Sequence, residues 1–203
     1  MGPINGKNDT DIHVMSTYFI YSLENKKDLS KLCPDDHMKH IFGEKIVIIP
    51  VHQPGHWTLL VLLNAGKLLY HSESVEISAI LFFDSLGNDN VNAEVKRKGY
   101  ATLVRDWLNL YAKDLYGISP YNQDSLPIYE PSVPRQRNGI DCGLFTCLYA
   151  REMVKLSSYR FSCTDLEDNF KCINFNFSQT DATKLRGEII LFIRRMSERF
   201  ATS

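Results

Sequence analysis

Gln136-Arg137-Asn138-Gly139-Ile140-Asp141-Cys142-Gly143 delivers a cysteine to the start of a helix predicted over residues 141–156. At that position the sulfur lies near the positive end of the helix dipole and near free backbone N–H groups, both of which favour a thiolate. The thiolate is the nucleophilic form of cysteine. Gly139 and Gly143 leave room for a substrate backbone to come close. Asp141 is expected to cap the helix. Gln136, six residues ahead of Cys142, offers side-chain N–H donors. With the backbone N–H of Cys142 these would suit a developing oxyanion, the alternative being a surface glutamine between Arg135 and Arg137. Cys147, five residues further along the helix, is expected to pack inside.

Two residues upstream extend this set. His56 is followed at once by Trp57 and an apolar run over residues 57–63, which reads as a strand; Asp84 closes another apolar strand over residues 79–84. A histidine beside a cysteine holds it as an ion pair, and a carboxylate behind the imidazole fixes its tautomer and direction. Taken singly, His56 also reads as a structural histidine and Asp84 as a turn former. His52 and His56 are four residues apart, a metal spacing only on a helix, and Pro50 and Pro54 exclude a helix there. No metal and no cofactor is expected.

The remaining chain supplies a scaffold. The stripe Ile12, Met15, Phe19, Leu23 predicts a helix over residues 11–24, with Asn8-Asp9-Thr10 as its cap. Residues 45–51 are β-branched and apolar, a buried strand that should stop near Pro50. Asn64-Ala65-Gly66-Lys67 reads as a turn, with residues 68–71 returning as a hairpin partner. A long helix is predicted over residues 91–115, with Trp107 as its core anchor, and a short strand over residues 127–130. A last amphipathic helix spans residues 182–200, with Arg194, Arg195 and Arg199 on a solvated face. These elements predict an α+β fold, a central mixed sheet flanked by helices with Cys142 at a helix N-terminus. Residues 1–7 read as an artificial or disordered start, and residues 8–203 as one catalytic domain.

Composition narrows the classes. At 203 residues, 44% hydrophobic and 23% charged, the chain fits a globular domain able to bury a core. A net charge of −1 gives no general attraction to nucleic acid or an anionic membrane. Five irregularly spaced cysteines (Cys33, Cys142, Cys147, Cys163, Cys172) point to a reducing compartment, with four of them ordinary packed thiols. An intracellular setting, nuclear or cytoplasmic, and a monomer are expected.

Together, Ile49-Pro50-Val51-His52-Gln53-Pro54-Gly55-His56-Trp57, Phe82-Phe83-Asp84-Ser85-Leu86 and the Gln136 to Gly143 segment resemble the ubiquitin-like-protein-specific cysteine proteases, the SUMO/sentrin proteases of the adenain-like clan. The order His, Asp, Cys is the order of that clan. The resemblance implies that His56 is general base and acid, Asp84 orients it, Cys142 is the nucleophile and Gln136 lines the oxyanion hole. It implies that Trp57 covers a channel for a C-terminal Gly-Gly, which Gly139 and Gly143 leave room to approach; Asp9 is a candidate contact for a basic modifier face, with a solvated surface as its plainer reading. The implied partner is a ubiquitin-like modifier, SUMO first, with ubiquitin or another relative as the alternative, as in a microbial effector. A same-fold acetyltransferase, which generally carries Glu where Asp84 stands, and a modifier-binding pseudoenzyme are the remaining classes. Two departures fall on the docking side: Gly6-Lys7 replaces the family's Trp-Leu, and Ser72-Glu73-Ser74-Val75-Glu76 lengthens the connection from His56 to Asp84.

Overall fold

The structure, a computed structural model, describes residues 11–25, 41–69, 76–87, 91–171 and 173–201. Its centre is a five-stranded sheet in the order β1-β2-β3-β4-β5. The strands are β1 (Ile12–Val14), β2 (Ile46–Gln53), β3 (His56–Leu63), β4 (Ala79–Phe83) and β5 (Ile128–Tyr129). The three middle strands run antiparallel, and the edge strands β1 and β5 pair parallel to β2 and β4, so the sheet is mixed.

Alternation along the middle strands explains the layering. Val47, Ile49, Val51, Leu60, Leu62, Ile80 and Phe82 point to one face, where α1 (Phe19–Asn25) and α2 (Val91–Tyr116) cover them. Ile46, Ile48, Leu59, Val61, Leu63, Ala79, Leu81 and Phe83 point to the other, under α3 (Cys142–Lys155) and the segment through α4 (Cys163–Glu167) to the start of α5 (Gln179–Ala201). A sheet buried on both faces reads as continuous apolar strands. Each buried Val, Leu or Ile stabilises by about 1.5–3 kcal/mol, so these two layers fix the sheet independently of the polar residues at its ends. Trp107 is fully buried in the first layer, edge-on to Phe19 with ring centroids 4.9 Å apart.

Several sequence expectations need correction. The helix predicted over residues 11–24 is a strand and then a helix. Ile12 and Val14 are β-branched and pair with Ile46 and Ile48 on β2, and the chain turns at Ser16, whose Oγ accepts the Tyr18 N–H. Met15, Phe19 and Leu23 are buried as the stripe required, but only the last two share the helix. The Asn8-Asp9-Thr10 cap lies outside the described residues. β2 does not stop at Pro50 but runs to Gln53. Its neighbour β1 pairs no further than Ile48, so the missing Pro50 N–H falls where no strand waits for it. Residues 65–69 form a 3-10 turn rather than a hairpin strand, because β3 already has β2 on one side and β4 on the other. His71 lies outside the described residues, as do residues 72–75 of the long connection. Cys147 and Cys163 are exposed, against the expectation of packed thiols. On α3 the buried stripe is Phe145, Leu148, Tyr149 and Met153, and Cys147 projects from the opposite side. Cys33 and Cys172 are not among the described residues.

Candidate active site

Antiparallel pairing of β3 with β4 sets Leu59 opposite Phe83. His56, three residues before Leu59, and Asp84, one after Phe83, therefore emerge at the same end of the sheet. The tight β2–β3 connection Pro54-Gly55 starts β3 at His56; Gly55 takes φ +78°, a conformation that suits glycine after proline in a reversal of this kind. The N-terminus of α3 lies over this end and supplies Cys142, which is buried.

His56 Nε2 and Asp84 Oδ1 are 2.8 Å apart, with side chains 18% and 10% exposed. Asp84 Oδ1 also accepts the Leu86 N–H at 2.9 Å, which fixes the carboxylate on the turn. The Asp84 hydrogen bond raises the imidazole pKa above its ordinary 6.5; desolvation opposes this, and the Asp84 charge and the nearby Cys142 add to the rise. With Nε2 committed to Asp84, Nδ1 is buried and takes no hydrogen bond among the described residues. It is the nitrogen left for the thiol.

Trp57 is half-buried beside the same helix start. A Cβ on Gly143 would lie 3.5 Å from the indole Cδ1, so anything larger than a methyl group there would push the ring away. His52, opposite Trp57 in the β2–β3 register, lays its ring against the indole with centroids 4.5 Å apart. The sequence left His52 without a role, and its pairing register is the signal that finds it. Gly139 opens to free space.

Gln136 is stitched to the aspartate turn. Its N–H donates to the Ser85 carbonyl at 3.0 Å, and the buried Ser85 hydroxyl donates to Gln136 Oε1 at 2.5 Å. Gln136 Nε2 donates to the Asn138 carbonyl, so its amide points back along the loop that leads to Cys142. Asn138 shapes that loop, its Oδ1 accepting the N–H groups of Ile140 and Asp141 at 3.1 Å.

Asp141 stands at the N-cap position of α3 yet bonds no helix N–H, a correction to its expected role. Its carboxylate accepts from Asn138 Nδ2 at 2.7 Å, from Gln179 Nε2 and from Arg186 Nη2. Those donors outcompete a cap because two of them belong to α5, 38 and 45 residues away in the chain. Gln179, Arg186 and Ser85 are thus site residues that sequence reasoning missed. Asp9, the remaining expected binding residue, lies outside the described residues.

The sequence pattern of the Ulp1 protease family, C-terminal catalytic domain, matches residues 5–186. The chain belongs to the Ulp1 protease family. Among curated relatives, it is 24% identical to sentrin-specific protease 2 of Pongo abelii over 139 residues, 68% of this chain and 21% of that one. It is 30% identical to ubiquitin-like-specific protease 1C of Arabidopsis thaliana over 136 residues, 63% of this chain and 22% of that one. The Ulp1-family chain thus spans about a fifth of the length of the relatives it matches. A crystal structure of a de-sumoylating protease superposes with TM-score 0.56 at 20% identity, covering 94% of this chain and 76% of that one. That likeness establishes the α+β cysteine-protease fold.

Proposed function

We propose that the protein is a thiol protease that hydrolyses the bond after the C-terminal Gly-Gly of SUMO or a related ubiquitin-like modifier. The observation that carries the reading is the buried His56–Asp84 pair at 2.8 Å, with His56 Nδ1 left over beside Cys142 at a helix N-terminus. Membership of the Ulp1 family and relatives named for sentrin and ubiquitin-like proteins support the substrate class. Residues 8–203 serve as one catalytic domain, and a nuclear or cytoplasmic setting, where thiols stay reduced, goes with it.

In this mechanism His56 keeps its Nε2–H on Asp84 and takes the Cys142 proton at Nδ1 before attack, so the reacting state is an imidazolium–thiolate pair. The sulfur attacks the carbonyl carbon of the terminal glycine. The oxyanion takes the Cys142 backbone N–H and Gln136 Nε2, which exchanges the Asn138 carbonyl for it. Protonated His56 then gives its proton to the leaving nitrogen, a lysine Nζ or the next peptide nitrogen, and a thioester remains. Water, activated by His56, hydrolyses the thioester and releases the modifier. Trp57, packed against His52 and facing Gly143, covers the approach to Cys142 in this reading, and the Gly-Gly of the modifier passes beneath it.

The test is turnover of modifier C-terminal amides, one series each for SUMO, ubiquitin and other relatives. The reading predicts a kcat/KM for one series far above the others, lost in Cys142→Ala. Equal, Cys142-independent turnover across the panel would overturn it.

A further inference from the structure

Asp141 places a carboxylate one residue from the nucleophile and is only 4% exposed. A buried carboxylate needs donors, and a charged one above all. Asn138 and Gln179 supply neutral donors, and Arg186 supplies the charged one. The Asn138 hydrogen bond, followed by those of Arg186 and Gln179, holds Asp141 below the usual carboxylate range against the cost of its burial, so it is ionised at neutral pH. Gln179 Oε1 also accepts the Arg137 N–H at 2.8 Å, so the first two turns of α5 grip both ends of the loop over residues 137–141.

Among the described residues, charged and titratable groups bear on Cys142 from several elements. His56 faces it from β3, with Asp84 behind; Asp141 precedes it; Arg186 reaches in from α5; and the first turn of α3 carries no acidic residue. An uncompensated Asp141 would set a second negative charge beside the sulfur and oppose the thiolate.

We propose that Arg186 is a positioning residue for the nucleophile: by neutralising and pinning Asp141, it holds the first turn of α3 so that Cys142 meets His56 as a thiolate. This rests on reading Cys142 as the nucleophile. Arg186 acts only through Asp141, so the two residues are coupled in a definite way. Loss of the arginine harms the centre because the carboxylate remains.

The experiment is alkylation of Cys142 by iodoacetamide from pH 5 to 9, located by mass spectrometry, in wild type, Arg186→Ala, Arg186→Lys, Asp141→Asn and the double variant Arg186→Ala/Asp141→Asn. Melting temperatures, and kcat and KM on the modifier amide, are read in parallel. In Arg186→Ala the acid limb of alkylation moves to higher pH, by about one unit, and kcat falls roughly tenfold with KM within about twofold. Arg186→Lys, which keeps the charge, recovers most of both, and the double variant returns the acid limb to its wild-type position. A wild-type limb in Arg186→Ala, or the same shift in the double variant as in the single one, overturns the proposal. Should Arg186→Ala melt too low to assay, Asp141→Asn decides: the account predicts a limb at or below the wild-type pH, and an upward shift refutes it. Alkylation needs no modifier. A wild type that alkylates normally and cleaves no modifier therefore contradicts the proposed function while the Arg186 comparison still reads.

Discussion

The two halves of α5 have opposite fates. In the first, Ala182 is fully buried, Leu185 packs on the second core layer, and Gln179 and Arg186 bond Asp141 beside Cys142. In the second, Ile189, Phe192 and Ile193 repeat at helical spacing yet are 37%, 63% and 59% exposed. One amphipathic pattern thus runs through a half buried against the body and a half whose apolar side chains are largely exposed. Periodicity locates an apolar face but not what covers it. The difference also separates what the fold requires from what the site requires. Apolar burial holds the first half in place, and two polar side chains on it reach the loop that carries Cys142.

This contrast is sharpened by substitutions of descending effect. Cys142→Ala should remove turnover altogether while leaving the melting temperature within a few degrees, read by amide hydrolysis and thermal unfolding. Asp84→Asn should lower kcat on the order of a hundredfold or more, because the imidazole loses its orientation and its charge partner. In that variant the alkaline limb of kcat/KM should also move to lower pH, since Asp84 is the main cause of the raised His56 pKa. The sign for stability is the same. A raised folded pKa gives stabilisation that is complete below about pH 6.5 and is lost as pH rises through the folded value. Asp84→Asn should therefore cost more in melting temperature at pH 6 than at pH 9.

Trp57→Ala should raise KM more than it lowers the melting temperature, because the half-buried indole lies over the helix start rather than in either core layer. At the far end of α5, Phe192→Glu should change stability by no more than about 0.5 kcal/mol and leave kcat/KM unaltered. A large loss there would mean that the distal half is needed by the body after all, and the contrast would fail.

Much of this was legible in the sequence, for reasons that differ by element. The long helix α2 shows helical spacing over many residues, and β3 and β4 are unbroken apolar runs of strand length, so each has one reading. The first helix was misread because Ile12, Met15, Phe19 and Leu23 fit helical spacing even though a turn at Ser16 divides them. Residues 68 and 69 were misread because hairpin spacing cannot show that β3 already has both its neighbours. At the site, His56, Asp84 and Gln136 each have a plain structural reading when taken singly; what the structure adds is that the sheet ends bring His56, Asp84 and the start of α3 together. Capping the helix is the local option that the position of Asp141 offers. Its actual partners on α5 are set by tertiary packing, which no local pattern records.

The most direct measurement is a panel of modifiers bearing a C-terminal electrophile (SUMO paralogues, ubiquitin and other ubiquitin-like proteins) incubated with wild type and Cys142→Ala, the adduct being located by mass spectrometry. The account predicts one preferred modifier joined covalently to Cys142, and no adduct in the variant. Failure of every modifier to react, or an adduct that persists in Cys142→Ala, would contradict it.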